Sequence, residues 1–112
     1  MNTIEIFDVI QSKTAAFQDE GNQVYLLLEA EIVQGHRTVL SFVGIENCST
    51  LFLNASIGRL YKKFPQNQIE ALLTYDGIEA GSYLGSMLNR VIERSLNPQA
   101  YSAIISSALE IA

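Results

Sequence analysis

The sequence predicts an α/β fold, a small and mostly parallel β-sheet flanked by helices, and three observations carry that expectation. Two short runs, residues 38–43 (TVLSFV) and 69–75 (IEALLTY), are apolar on both faces, as strands covered on both sides are. Each is followed by a longer stretch whose apolar residues recur with helical spacing. A chain of 112 residues, 48% of them hydrophobic, is the size of one domain and can bury a core. We therefore expect a single domain over 1–112, in the order β-α-β-α-β-α-α with right-handed crossovers.

Taken in order, residues 3–10 alternate, with Ile4, Ile6 and Ile10 opposed to Glu5, Phe7 and Val9, which predicts a first strand. Residues 11–22 are polar and contain Gly21, so they read as a loop. The stretch 23–34 is ambiguous: its apolar run suits a strand, while Val24, Leu28, Glu31 and Ile32 permit a helical face. A helix stopping at Gly35 is the favoured reading, because glycine suits the position just past a helix end; a strand would instead add an antiparallel pair.

The run 38–43 lies between Gly35 and Gly44 and is expected to be the central strand. A turn over 44–47 follows, and Ser49 stands where an N-cap would, its hydroxyl placed to accept from a backbone N–H of the next turn. A helix is thus expected from Thr50, with Leu53, Ile57, Leu60 and Phe64 as its core stripe. Leu51, Ala55 and Gly58 form a second, small apolar strip, which is either a contact surface or packed under a neighbouring helix of the same chain.

Pro65 ends this helix, 66–68 form a turn, and 69–75 read as the next parallel strand, broken by Asp76 and Gly77. Over 78–96, Leu84, Leu88, Val91, Ile92 and Leu96 mark another helix. Asn97 and Pro98 open a last one, with Tyr101, Ile104, Ile105, Ala108 and Leu109 on its stripe, docked on its own sheet or on a second copy of the chain.

Composition narrows the function classes. A net charge of −5 with only seven Lys and Arg argues against nucleic acid, whose phosphates need clustered cations. No apolar stretch approaches a bilayer span, and no membrane partner is expected. Cys48 is the single cysteine, which suits a cytoplasmic protein; with His36 the single histidine, no metal site is expected. His36 reads as a solvated loop residue, and Asp76 and Glu79 as helix-start carboxylates in preference to an acid–base pair. Neither common glycine-rich phosphate cradle occurs, and no cofactor is expected.

The segment 40–61, LSFVGIENCSTLFLNASIGRLY, resembles the bacterial STAS-like family of unknown function. Ser41, Phe42, Gly44, Ile45, Ser49, Phe52, Leu53, Asn54, Ile57 and Gly58 carry the resemblance, which extends more loosely over about residues 15 to 95. It implies a fold similar to the STAS domain of anti-anti-sigma factors. Those are non-enzymatic switches that dock on a histidine-kinase-like ATPase and are turned off by phosphorylation of a serine at the start of this helix. The matching position is Ser49, in an Asn47-Cys48-Ser49-Thr50 context where those factors carry Asp-Ser-(Ser/Thr)-Gly.

Two functions are expected from different classes. One is a protein-interaction and regulatory module, with Ser49 or Thr50 as phosphoacceptor and Glu46, Asn47, Leu51, Ala55 and Gly58 meeting the partner. The other is a small-ligand or nucleotide sensor at the strand ends, built on Gly44, Asn47 and the N–H groups near Thr50. A plain capping role is the simpler reading of Ser49.

Overall fold

A computed structural model describes residues 2–97 of the chain. The last helix expected from sequence, docked on its own sheet or on a second copy of the chain, lies outside the described residues.

Three strands, β1 (Asn2–Glu5), β3 (Thr38–Ser41) and β5 (Leu73–Asp76), form a parallel sheet in the order β1-β3-β5, so the run from Thr38 is central as expected. The register places Ile4, Leu40 and Tyr75 side by side. Ile4 and Leu40 enter the core, with Leu73 two residues before Tyr75. The opposite face is covered less than expected: Thr3 and Thr74 are exposed and Val39 is half-buried, while Ser41 at the end of the central strand is buried. The β-branched content of 38–43 serves a half-covered strand as well as a buried one.

The first strand is shorter than predicted. It stops at Glu5, and Ile6–Ile10 form a helical turn, α1, closed by Gln11 at φ 55. Ile6, Val9 and Ile10 stand at i, i+3 and i+4, a spacing that fits one helical face as well as part of a strand alternation, and packing chose the helix. The expected loop 11–22 is also corrected. It contains β2 (Thr14–Ala15), paired in parallel with β4 (Asn47–Cys48), and the first turn of α2 (Gln18–Val33).

Helix α2 starts earlier because Glu20 reaches back, its carboxylate accepting from the N–H groups of Ala16 at 3.3 Å and Phe17 at 3.2 Å. Gly21, Val24, Tyr25, Leu28 and Ile32 make the buried face, which settles helix over strand for this segment. Its far end closes on Gly35 at φ 73, whose N–H donates to Ile32 while that of His36 donates to Glu31, both at 3.0 Å.

After β4 the chain runs through α3 (Thr50–Leu53), a π-helical turn (Asn54–Gly58) and α4 (Arg59–Lys63). Leu53, Ile57 and Leu60 are fully buried; Phe64 is half-buried and lies past the helix end. The π turn was not anticipated. It is defined by the Arg59 N–H donating five residues back to Asn54, and Ser56 Oγ donates to the Phe52 carbonyl at 2.9 Å. Gly21 of α2 packs at this point, so close that a Cβ on it would lie 2.7 Å from both the Phe52 oxygen and the Ala55 Cβ. Farther along, the Arg59 guanidinium sits 4.0 Å over the Tyr25 ring, and Lys63 donates to Glu29 at 2.8 Å. The Lys63 contact, then the Tyr25 hydroxyl, hold the Glu29 carboxyl below its usual range.

Residues expected to continue as turn and strand from Gln66 form α5 (Gln66–Leu72), leaving only Leu73–Asp76 in the sheet. Ile69, Leu72 and Leu73 at i, i+3 and i+4 gave this stretch a helical face that the compact apolar run concealed. Helix α6 (Tyr83–Leu96) begins later than predicted from Ile78, because Ser82 caps it by accepting from Gly85 N–H at 3.1 Å. It packs on α3, the π turn and α4. Among the described residues no helix is long and apolar enough to cross a membrane.

Candidate functional site

The β2–β4 ribbon brings residues 45–49 against residues 13–16 and so builds a corner. Lys13 O accepts from Glu46 N–H at 2.8 Å, and Ala15 O accepts from Ser49 N–H at 2.9 Å. Ser49 then does two jobs with one hydroxyl: it accepts from Phe52 N–H at 3.1 Å, capping α3, and donates to Ala16 O at 2.6 Å. The cap expected from sequence is therefore present, with a partner that the sequence did not reveal.

Between this corner and the start of α6 lies a cavity of about 460 Å³. The ribbon side supplies Thr14, Ala16 and Ile45 to Ser49, and the helix side supplies Ser82, Tyr83, Leu84 and Met87. Tyr83 is 75% exposed at its rim. A smaller notch of about 40 Å³ adjoins it, sharing Tyr83 and Met87 and adding Thr50, Arg90, Val91 and Arg94.

The residues singled out from sequence fall into two groups. Glu46, Asn47 and Ser49 line the cavity together, and exposed Thr50 lines the notch. Glu46 lies 3.9 Å from Lys13, an exposed pair that adds little stability. The strip Leu51, Ala55, Gly58 does not exist as one surface. Leu51 is exposed, Ala55 turns toward Gly21 of α2, and Gly58 is buried where a Cβ would stand 3.2 Å from Val91 and 3.1 Å from Ser95 of α6. Helical spacing alone could not distinguish a free face from one covered by two helices distant in sequence. Gly44 turns at φ 87 beside the Phe7 ring and is not part of the cavity wall, so of the residues expected for ligand binding Asn47 lines the cavity and Thr50 the notch.

The α6 side of the cavity was missed. Its local signal, Ser82 as a cap, was present, but the expected start at residue 78 hid it, and nothing local says that this helix start faces Ser49.

Other reactive side chains are accounted for elsewhere. His36 Nδ1 lies 2.9 Å from Glu31, whose carboxylate also accepts from Asn2 at 2.6 Å. Asp76 Oδ1 accepts from Gly77 N–H at 2.9 Å. Cys48 lines the cavity but is half-buried, and burial pushes its thiol up to about 12. Raising the pKa removes thiolate, the reactive form. Reaction of Cys48 with Ellman's reagent at pH 8, which forms a mixed disulfide and releases an aromatic thiolate, is thus expected to be at least ~100-fold slower in the folded chain than in urea.

No curated protein and no solved structure matches the chain. A family model, that of the STAS-like domain of unknown function (DUF4325), matches residues 20–82, which take in α2 from Glu20 onward, the central strand, the Ser49 side of the corner and the sheet's third strand. That match covers more than half of the sequence, and with the parallel sheet flanked by helices it places the chain in the STAS-like family.

Proposed function

We propose that this chain is a non-enzymatic interaction module of the cytoplasm that works through the Ser49 corner and the start of α6, in the manner of an anti-anti-sigma switch docking on a histidine-kinase-like ATPase. The observation that carries the reading is the cavity at that corner, mainly apolar, rimmed by Tyr83 and with exposed Leu51 nearby. Tyrosine at the edge of an apolar recess is a frequent anchor of protein contacts.

The double role of Ser49 supplies a switch. A phosphorylated Ser49 has no proton to give the Ala16 carbonyl, and it would bring about two negative charges to a corner that already holds Glu46. The ribbon would loosen there and a partner's acidic surface would be repelled. Thr50 is exposed and is the second candidate acceptor.

Calorimetric titration of the chain and of Ser49→Glu against the protein recovered with it from its native cell tests this. The expected result is affinity weakened at least about tenfold in the variant, as introduced like charge or a lost buried hydrogen bond would give. Equal affinities would remove the switch.

The same cavity favours a second reading, a small-ligand sensor, because its volume falls within the range of small-molecule sites. A thermal-shift screen with nucleotides and anionic metabolites that moves nothing would count against it.

A further inference from the structure

β1 is an outermost strand of its sheet and pairs only with β3. Asn2 N–H donates to the Arg37 carbonyl at 3.0 Å, and successive residues of a strand point their backbone groups to alternate sides, so Thr3 turns both its N–H and its carbonyl outward, away from β3. A groove along this edge, lined by Thr3, Ile4, Glu5, Asp8, Val9 and Leu27, joins it to the outer face of α2. From Gln23 to Gln34 that face carries no charge: Gln23, Leu26, Leu27, Ala30, Val33 and Gln34 are exposed, Leu26 at 59% and Val33 at 67%. The outward side of a solvated helix is ordinarily charged or polar. The carboxylates of this stretch are engaged within the chain, Glu29 with Lys63 and Tyr25, Glu31 with Asn2 and His36.

We propose that the β1 edge and this face of α2 bind a second copy of the chain, with β1 antiparallel to the copy's β1 and α2 against the copy's α2. A second copy is the occupant because both elements complement themselves about a two-fold axis. Thr3 opposite the copy's Thr3 exchanges both backbone hydrogen bonds and joins two three-stranded sheets into one of six strands, with a threonine pair at the centre. A chain of net charge −5 repels its own copy, and an uncharged helix face is where two of them can approach. Glu5 stands two residues from Thr3, so this pairing carries the two Glu5 residues roughly 13 Å apart along the strands, beyond a screening length of about 8 Å. No residue of the Ser49 cavity lines the groove, so the pairing leaves that corner open.

Sedimentation equilibrium of the full chain at concentrations up to about 0.5 mM, enough to populate a contact of about 100 μM affinity, tests this. The expected result is a species of twice the chain's mass. Ala30→Glu puts a carboxylate on each facing helix, and Thr3→Pro deletes the outward N–H while the ladder to β3 keeps its bonds. Each is expected to weaken the dimer at least about tenfold with the helical circular dichroism unchanged. Tyr83→Ser, altered only at the cavity rim, is expected to dimerise as the parent does. A chain monomeric throughout would overturn the proposal, as would a dimer that both variants retain or one that Tyr83→Ser dissociates. Loss in Ala30→Glu alone would overturn the strand pairing and leave the helix face as the contact.

Discussion

Gly21→Ala is expected to destabilise the chain by about 2 kcal/mol, lowering Tm by roughly 10 °C, although alanine in an unconstrained helix would add about 1 kcal/mol. The sign is the informative part. Gly21 sits in the first turns of α2 where glycine is a poor helix former, yet its missing Cβ is what lets α2 approach the π turn. A methyl there would meet the Phe52 carbonyl oxygen and the Ala55 Cβ at 2.7 Å. The oxygen cannot rotate away, because it belongs to the backbone and accepts from Ser56 Oγ. Either α2 shifts or the π turn does, and both carry fully buried residues, among them Val24, Leu28 and Ile57. Urea unfolding followed by circular dichroism measures the effect; an unchanged or raised midpoint would mean that the two helices are not in this contact.

Ser49→Ala is expected to cost about 2 kcal/mol, the sum of a lost N-cap and a lost hydrogen bond to a carbonyl left unpaired. The alanine variant leaves Phe52 N–H and Ala16 O without the partner they share, and it does so at the joint between α3 and the end of the β2–β4 ribbon. Ser49→Thr retains a hydroxyl and is expected to lose less than about 1 kcal/mol, since threonine also caps helices. Ser49→Asp accepts from Phe52 N–H but cannot donate to Ala16, so it falls between the two. That order, read from the same urea titrations, separates the two bonds. An aspartate variant and parent of equal stability would show that the bond to Ala16 contributes nothing, and alanine and aspartate variants of equal stability that the cap on Phe52 N–H does not.

What the sequence disclosed was mostly local. The Ser49 cap, the helical face of α2 and the position of the central strand follow from spacing and from one polar residue in the right place, and the structure has them. Shorter elements were ambiguous because their residues satisfy two periods at once. Ile6, Val9 and Ile10, and again Ile69, Leu72 and Leu73, read as strand by composition and as helix by spacing. The β2–β4 ribbon has two residues on each side, too few for any periodicity to register. The π turn and the burial of Gly58 depend on contacts with α2 and α6, so no window along the chain contains their cause. The cavity is of the same kind: Glu46, Asn47 and Ser49 were legible as a loop and a cap, but the opposing Ser82, Tyr83 and Met87 arrive from more than thirty residues away.

The account stands on the claim that this corner is where the chain meets its partner. Amide hydrogen exchange, followed on the chain alone and with the protein recovered beside it from the native cell, tests that claim most directly. Slowed exchange on binding over residues 45–51 and 82–87 is the predicted result. Unchanged rates there, with slowing confined to the exposed Leu26 and Val33 face of α2, would contradict it.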